Sequence, residues 1–193
     1  MPAWARRKPA PSATPSVAPA AARPPLLAGQ RLARRGEHAE ALRQWGELSA
    51  AHPAVFALVA VDYAASAVAC GAEASALERL GALQRRTPSL DLLAAIALLD
   101  PDRQRQRARL LALLAQQPQH LSAAQRLLQL AADDGQPLAD GETRAVADAV
   151  GRAAQPLQRY RCAACGFEAR HYFWQCPGCM TWDSYPPERL DAA

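Results

Sequence analysis

The chain has 193 residues, of which 50% are hydrophobic, and a formal net charge of +4 at pH 7. This length accommodates one medium-sized domain and a small second module, but it excludes a series of large domains. The four excess positive charges are Arg6, Arg7, Lys8 and Arg23, and from residue 26 onward eighteen basic residues balance eighteen acidic ones. The main body of the protein is therefore neutral, which argues against a broad nucleic-acid-binding surface.

The N-terminal residues 1–25 are rich in proline and alanine and poor in large apolar side chains. Such a composition cannot form a packed core, so we expect a disordered tail. The tail has no apolar segment of the kind found in secretory signals. The longest apolar runs, residues 54–61 and 92–99, have eight residues each, whereas a bilayer span needs about 20. These features predict a cytoplasmic protein without a transmembrane segment.

A repeat of thirty-five residues begins after the tail. The residues Gly36, Ala41, Trp45, Leu48 and Pro53 recur as Gly71, Ala76, Leu80, Leu83 and Pro88. A turn glycine, a small residue where helices cross closely, two larger apolar residues and a proline stop are typical of antiparallel helix pairs that stack on their neighbours. The offsets resemble the second helix of the tetratricopeptide repeat. We therefore expect residues 26–53 and 54–88 to form two such repeats.

Two further helix pairs are predicted downstream. The third pair covers residues 90–99 and 103–117, and the fourth covers residues 121–132 and 141–154, with proline or glycine at the breaks. Leucine and alanine are abundant and β-branched residues are scarce, which favours helix throughout. The predicted fold is mostly α, a tetratricopeptide-like hairpin solenoid over residues 26–156. Surfaces of this kind usually hold a peptide or another protein.

Two features of the helical region favour ordinary structural roles. The run Arg103, Arg105, Arg107, Arg109 alternates with glutamine and alanine, so its charges are expected on a solvated face rather than in a phosphate clamp. Cys70 precedes the turn glycine of the second repeat, where a small buried apolar residue is the simplest interpretation. No phosphate-binding loop, nucleophile elbow or His-Glu-x-x-His motif is present. We therefore expect no enzymatic activity.

The strongest chemical signal lies near the C-terminus. Two Cys-x-x-Cys pairs, Cys162 with Cys165 and Cys176 with Cys179, are separated by ten residues. Such pairs present four thiolates to a single ion, and a cage of four sulfurs suits zinc or iron but not Mg²⁺ or Ca²⁺. We predict one iron or zinc ion bound by these four cysteines. His171 is expected to be a surface residue of the intervening loop.

The metal module is predicted to span residues 157–189. Gly166 follows the first pair, where positive φ would allow its N–H to face a sulfur. Seven of the eleven aromatic residues lie in this stretch: Tyr160, Phe167, Tyr172, Phe173, Trp174, Trp182 and Tyr185. A module of about thirty residues cannot fold on its own core, so the ion and an aromatic shell should form one folding unit.

These motifs resemble a known family. The run Tyr160-Arg-Cys-x-x-Cys-Gly-Phe, followed by Trp174 and by Cys176-Pro-x-Cys-x-x-Trp, is similar to the rubredoxin-type module at the end of the lipopolysaccharide assembly protein B family. In that family tetratricopeptide repeats precede the module. The family carries more repeats and an N-terminal transmembrane helix, so the resemblance suggests a shortened or divergent member.

The resemblance implies a regulator without catalytic activity, at the cytoplasmic face of the inner membrane of Gram-negative bacteria. Its implied partners are a membrane-bound ATP-dependent protease and the deacetylase that commits material to lipid A, whose proteolysis it assists. It also implies that Cys162, Cys165, Cys176 and Cys179 are metal ligands.

Two alternatives from other classes remain open. A rubredoxin-type electron carrier would cycle one iron in a four-sulfur cage. A zinc-ribbon nucleic-acid-binding protein would carry a similar cysteine pattern, although the neutral charge balance argues against it.

Overall fold

The computed structural model describes residues 20–190, which form a series of helices followed by a small two-stranded module. The helices are α1 (Arg23–Arg34), α2 (His38–Ala51), α3 (Pro53–Phe56), α4 (Ala60–Ala69), α5 (Glu73–Arg86), α6 (Leu90–Leu99), α7 (Arg103–Gln116), α8 (Leu121–Asp134) and α9 (Asp140–Ala154). The strands are β1 (Tyr160–Arg161) and β2 (Glu168–Ala169). The predicted mostly α class with a C-terminal metal module is confirmed.

The predicted disordered tail lies largely outside the described residues, because residues 1–19 are not among them. Helix α1 begins at Arg23, three residues before the expected start of the helical region. Pro24 and Pro25 lie in its first turn, where the missing proline N–H removes no helical hydrogen bond. The proline-rich composition therefore predicted the start of the helical region three residues too late. Among residues 20–190 no helix is long and apolar enough to cross a membrane.

The first two hairpins turn in the same way, at Gly36 and Gly71. Their φ angles are 80° and 66°, a left-handed conformation that glycine adopts without a Cβ penalty. In each turn the residue after the glycine donates its N–H to a carbonyl five residues earlier, at 3.0 Å in the first turn and 2.9 Å in the second. This is the Schellman arrangement, which satisfies carbonyl groups at the end of a helix. The two turns that are thirty-five residues apart in sequence therefore have the same backbone conformation.

Prolines stop four of the helices as predicted. Helices α2, α5, α6 and α7 end at residues that directly precede a proline and have φ near −130° with positive ψ: His52, Thr87, Asp100 and Gln117. Proline disfavours the helical conformation in the residue before it. Pro53 has a second role, because it opens the short helix α3. A 3-10 turn at Ala57–Val59 then separates α3 from α4, so the second hairpin begins less regularly than its sequence register suggests.

Helix α2 packs against both α1 and α4, and from α4 onward each helix packs against the next in sequence, while α6 contacts both α4 and α5. One continuous hydrophobic cluster runs through the stack, and its largest fully buried members are Trp45, Phe56, Leu48, Leu80, Leu92, Leu113, Leu127 and Leu130. Consecutive packing of this kind is expected of stacked hairpins. Assignment to the tetratricopeptide geometry remains a prediction.

Two expectations about the helical region are wrong: the solvated face predicted for the arginine run fails at Arg107, although Arg103 and Arg105 are exposed, and Cys70 is not buried. Arg107 is only 7% exposed, and its guanidinium lies 3.5 Å from a Glu142 carboxylate oxygen and 3.3 Å from the Gln136 carbonyl oxygen. The reason is that α7 packs against α6, α8 and α9, and Arg107 faces Glu142 of α9. Cys70 is exposed rather than buried, because it lies at the end of α4 in the turn.

Asp100 forms a second ionic centre in the helical region. Its buried carboxylate accepts hydrogen bonds from Arg109 at 2.6 Å and from Arg105 at 3.2 Å. The Arg109 hydrogen bond, helped by the Asp102 amide and opposed by burial, lowers the pKa of the carboxyl group. The ion pair therefore links the end of α6 to α7.

The first prediction concerns Gly29, which is buried under the Trp45 indole. A Cβ at this position would overlap the indole ring, whose Nε1 donates to the Leu26 carbonyl oxygen. We expect Gly29→Ala to lower the free energy of unfolding by about 1–3 kcal/mol, because the indole must leave its position. Urea unfolding measures this difference. Gly81→Ala is the matched control, because its Cβ meets nothing nearer than 3.7 Å, and it should stabilise the protein by up to about 1 kcal/mol. Equal effects of the two changes would contradict the packing.

The second prediction concerns the pH dependence of the Asp100 ion pair. A lowered folded-state pKa means that the ionised carboxylate stabilises the fold above its unfolded pKa of about 3.9, and this stability is lost as pH falls through the folded-state pKa. Asp100→Asn should therefore lower the urea midpoint at pH 7. The gap between variant and parent should narrow as the pH is lowered through the folded-state pKa, because the parent carboxyl then becomes neutral as well. A gap that stays the same size as the pH falls would show that ionisation of Asp100 contributes nothing.

Candidate metal centre

The module is built from two similar turns, each carrying one Cys-x-x-Cys pair. Strands β1 and β2 are antiparallel, with Tyr160 opposite Ala169, and the first pair lies between them. The second pair lies between Gln175 and Trp182, which form an isolated antiparallel bridge. Both cysteine pairs therefore lie at the tip of a short hairpin, where a tight turn directs two sulfurs to the same side.

The two turns share a hydrogen-bond pattern at positions fourteen residues apart. The Cys162 amide donates to the Phe167 carbonyl oxygen at 3.0 Å, and the Cys176 amide donates to that of Thr181 at 2.9 Å. The fourth residue after each first cysteine donates back to the carbonyl oxygen of that cysteine, from Gly166 at 2.9 Å and from Met180 at 2.8 Å. Two backbone hydrogen bonds thus close each turn.

Gly166 has the predicted positive φ of 76°, but its N–H donates to a backbone carbonyl rather than to a sulfur. Its counterpart Met180 has a φ of 63°, although it carries a side chain. The turn geometry therefore requires the left-handed conformation at this position in both turns. The expectation was right about the conformation and wrong about the partner of the amide.

The four predicted cysteines converge. Their sulfur atoms all lie within 4.8 Å of one another, with 3.8 Å between Cys162 and Cys179 and 3.7 Å between Cys165 and Cys176. A tetrahedron with metal–sulfur bonds of about 2.3 Å has sulfur–sulfur edges of about 3.8 Å. The donor set therefore fits one thiophilic ion, and the four cysteines are positioned to bind it, as predicted. His171 is exposed and lies outside this group.

Backbone and hydroxyl groups surround the sulfurs. The Gly178 amide donates to the Cys176 sulfur at 3.3 Å, and the amides of Ala164 and Cys165 face the Cys162 sulfur. The Ser184 hydroxyl lies 3.2 Å from the Cys162 sulfur and 3.2 Å from the Thr181 carbonyl oxygen. A thiol at Cys162 would donate to this hydroxyl, whereas a thiolate would receive its proton.

These donors favour ionisation at two of the sulfurs. The Ser184 hydroxyl, assisted by the backbone amides and opposed by burial, lowers the pKa of Cys162 to about 6. The Thr181 hydroxyl and amide lower the pKa of Cys179. At Cys165 the Phe167 amide favours the thiolate, but burial and the neighbouring sulfurs outweigh it and raise the pKa to about 12. The protein's own donors thus favour ionisation of some of the four thiols. A bound cation is needed for all four to be thiolates.

Three of the seven aromatic residues form the expected shell. Tyr185 is buried beside the Cys176 sulfur, and its hydroxyl donates to the Phe167 carbonyl oxygen at 3.2 Å. The Tyr172 hydroxyl donates to the Tyr185 carbonyl oxygen at 3.2 Å, and the Tyr172 ring meets the Tyr160 ring edge to face at 5.6 Å. The other four rings are exposed: Phe167, Phe173, Trp174 and Trp182.

The sequence pattern missed Ser184, which touches the first cysteine and closes the module. Its carbonyl oxygen accepts from the Ala163 amide at 2.7 Å, so it joins the C-terminal segment to the first turn. A serine at this distance from the cysteines carries no recognisable spacing signal, and only the folded protein brings it near them.

Fold and site together define a rubredoxin-type metal-binding module at the end of a series of helical hairpins. Consistent with this class, the family described as "Rubredoxin metal binding domain" matches residues 160–187. The protein is also similar to lipopolysaccharide assembly protein B of Escherichia coli strain K12 and of Escherichia coli O157:H7. Both relatives are 43% identical to it over 42 residues.

The shared stretch amounts to 22% of this protein and 11% of each relative, so the match spans about a tenth of the curated relatives' length. The predicted resemblance to the lipopolysaccharide assembly protein B family is confirmed over this stretch.

The third prediction concerns metal loss. We expect the purified protein to bind one equivalent of zinc or iron, and Cys162→Ser to lower the occupancy severely, because a structural four-cysteine site contributes of the order of 10 kcal/mol of binding free energy to folding. Elemental analysis gives the metal content, and near-ultraviolet circular dichroism reports on the tyrosine shell. Cys70→Ser is the matched control, because this exposed thiol lies outside the cluster. A folded module with full metal content in Cys162→Ser would contradict ligation by this residue.

Proposed function

We propose that this protein is a non-catalytic scaffold in the control of lipopolysaccharide assembly, acting by holding protein partners. The supporting observation is the four-cysteine site, which lies in the stretch that is 43% identical to lipopolysaccharide assembly protein B and follows a stack of helical hairpins. In this proposal Cys162, Cys165, Cys176 and Cys179 are ligands of a structural ion. The bound ion holds the two turns together, and the protein surface does the recognition.

The module offers a surface suited to a protein partner. Trp174, Met180 and Trp182 are 68%, 63% and 64% exposed, which is unusual for large apolar side chains on so small a unit. Exposed aromatic residues are enriched among those that dominate binding energy at interfaces. Trp174 also packs edge to face on Tyr172 at 5.2 Å, so its ring is held in place before a partner arrives.

By resemblance, the protein brings a membrane-bound ATP-dependent protease together with the deacetylase that commits material to lipid A, at the cytoplasmic face of the inner membrane. The helical stack would hold one protein while the metal module contacts another. Division of the sequence into an N-terminal tail, repeats up to residue 156 and a module over 157–189 belongs to the same proposal, with the repeats beginning at Arg23, where α1 begins.

An electron carrier is the second candidate, and the hydrogen bonds to sulfur favour it. Amides that face the cysteine sulfurs stabilise a negatively charged iron–sulfur centre and tune its potential. A red ferric protein with reversible one-electron reduction would support this candidate. A colourless zinc protein would exclude it.

The fourth prediction tests the proposed function in the native host. Deletion of the gene should lengthen the half-life of the lipid A deacetylase severalfold, because its proteolysis would lose a recruiting factor. The wild-type protein and Cys70→Ser should restore the half-life. Trp174→Ser combined with Trp182→Ser should not restore it, although this variant keeps its metal and its thermal stability. Pulse-chase labelling with immunoprecipitation measures the half-life.

The control for the tryptophan variant is Leu58→Ser, which removes an equally exposed apolar side chain (69%) from the helical region. It should leave the half-life unchanged if the module surface is the contact. A deacetylase half-life that is the same with and without the gene would refute the role in this process.

A further inference from the structure

The positive charge of the chain is concentrated at its beginning. The first 36 residues hold seven of the 22 basic residues and none of the 18 acidic ones, so the remainder has fifteen bases and eighteen acids. Three of the seven precede the described residues: Arg6, Arg7 and Lys8. The other four are Arg23, Arg31 and Arg34 of α1 and Arg35, which directly follows it. The charge is therefore polarised, with its positive excess on the first helix.

The arginines of α1 lie on its exposed side. Residues three or four apart share one side of a helix, which forms a row from Arg23, Leu27, Arg31 and Arg34. The arginines of this row are exposed, and Leu27 among them is 40% exposed. The opposite side carries the buried Gly29 and packs against α2. Helix α1 is thus held by its apolar side while its basic side faces solvent.

These positive charges are not neutralised by the protein itself. Within residues 20–190 the guanidinium groups of α1 and of the residue after it form no ion pair or hydrogen bond. Two acidic residues are near the end of the row, Glu37 after the turn and Asp62, which lines a small pocket together with Arg34, but neither pairs with these arginines. The exposed Arg43 of α2, by contrast, is bound by Glu40. The basic side of α1 is therefore open to an external anion.

We propose that this basic face, formed by Arg23, Leu27, Arg31, Arg34 and Arg35, binds the surface of a membrane that contains anionic lipids. Each basic residue near such a surface contributes about fivefold in affinity. The planar guanidinium group of arginine is also suited to the phosphate of a lipid headgroup. The inference goes beyond the proposed function, because it concerns a lipid surface and holds whichever proteins the scaffold binds.

The distribution of charge would also orient the protein on the membrane. The remainder of the chain after residue 36 has three more acids than bases, so an anionic plane attracts α1 and repels the rest. The metal module is part of that remainder, and its exposed Trp174 and Trp182 would stay accessible to a protein partner.

The side chains of the basic face favour lipid over nucleic acid. Proteins that bind single-stranded nucleic acids combine basic grooves with aromatic side chains on which the bases stack. In the described part of the chain the exposed aromatic residues all lie in the metal module, and the basic face has none. Its centre carries Leu27 instead, and a leucine among basic residues gains free energy when it enters the boundary between headgroups and acyl chains.

The experiment measures binding of the full-length, metal-loaded protein to sedimented lipid vesicles. At about 50 mM salt the protein should bind vesicles that contain phosphatidylglycerol and phosphatidylcholine, and it should not bind vesicles of phosphatidylcholine alone. Binding should be largely lost at about 500 mM salt, because the surface charges are then screened.

The basic face is tested with two pairs of substitutions that change the net charge equally. Arg31→Gln combined with Arg34→Gln should weaken vesicle binding about twenty-fivefold, at fivefold for each residue. Arg85→Gln combined with Arg86→Gln is the matched control, because these exposed arginines also lie in the last turn of a helix, α5, and form no ion pair within residues 20–190. The control should bind like the parent. Thermal unfolding and metal content verify that both variants are folded.

The inference is overturned if the parent does not bind anionic vesicles, or if the two variants weaken binding equally. It is also overturned if the α1 variant binds like the parent while alanine substitution of Arg6, Arg7 and Lys8 abolishes binding, which would assign the contact to the N-terminal segment. Binding of polyuridylic acid without binding of vesicles would identify a nucleic-acid surface instead. A failure here is separable from a failure of the proposed function, because the deacetylase half-life is tested with the tryptophan variants of the module.

Discussion

Four sulfur atoms within 4.8 Å of one another cannot all carry negative charge unless a cation lies among them. At about 4 Å each pair of like charges costs of the order of 4 kcal/mol at an effective dielectric constant of about 20. The protein partly prepares the cluster, because its own donors lower the pKa of Cys162 to about 6 while the pKa of Cys165 rises to about 12. Thiolate formation and metal binding are therefore one thermodynamic event.

The same constraint explains why the module can be so small. The buried members of its hydrophobic cluster are Cys162, Cys176 and Tyr185, with Tyr160, Ala169 and Tyr172 packed against them. Two of the three buried residues are thus candidate ligands, so removing the ion would remove the centre of the core itself. The helical region differs, because it buries a continuous cluster that contains Trp45, Phe56 and many leucines. One polypeptide therefore combines a part held by apolar packing with a part held by a metal site.

The parts of the structure that could be predicted from sequence are those with short-range causes. Cys-x-x-Cys spacing fixes the direction of two sulfurs through a single turn, and a glycine followed by a proline stop fixes a helical hairpin. The thirty-five-residue register consequently located the positive φ angles of Gly36 and Gly71. The position of Arg107, which sequence reasoning misplaced, depends instead on a distant neighbour. Arg107 alternates with polar residues along α7, so its sequence context resembles a solvated face, yet Glu142 lies thirty-five residues away in the sequence and meets it in a buried pair.

The exposed tryptophans are tied to the metal site through the backbone of the second turn. Trp182 pairs with Gln175 in a bridge that closes this turn, and the Asp183 amide donates to the Trp174 carbonyl oxygen at 2.8 Å. Cys176 and Cys179 lie within the loop that these two backbone contacts close. An ion that fixes the two sulfurs would thus also fix the backbone from which both indole rings project. Rings held in this way lose little conformational entropy when a partner binds, so a metal site remote from any chemistry can still raise the affinity of a protein surface.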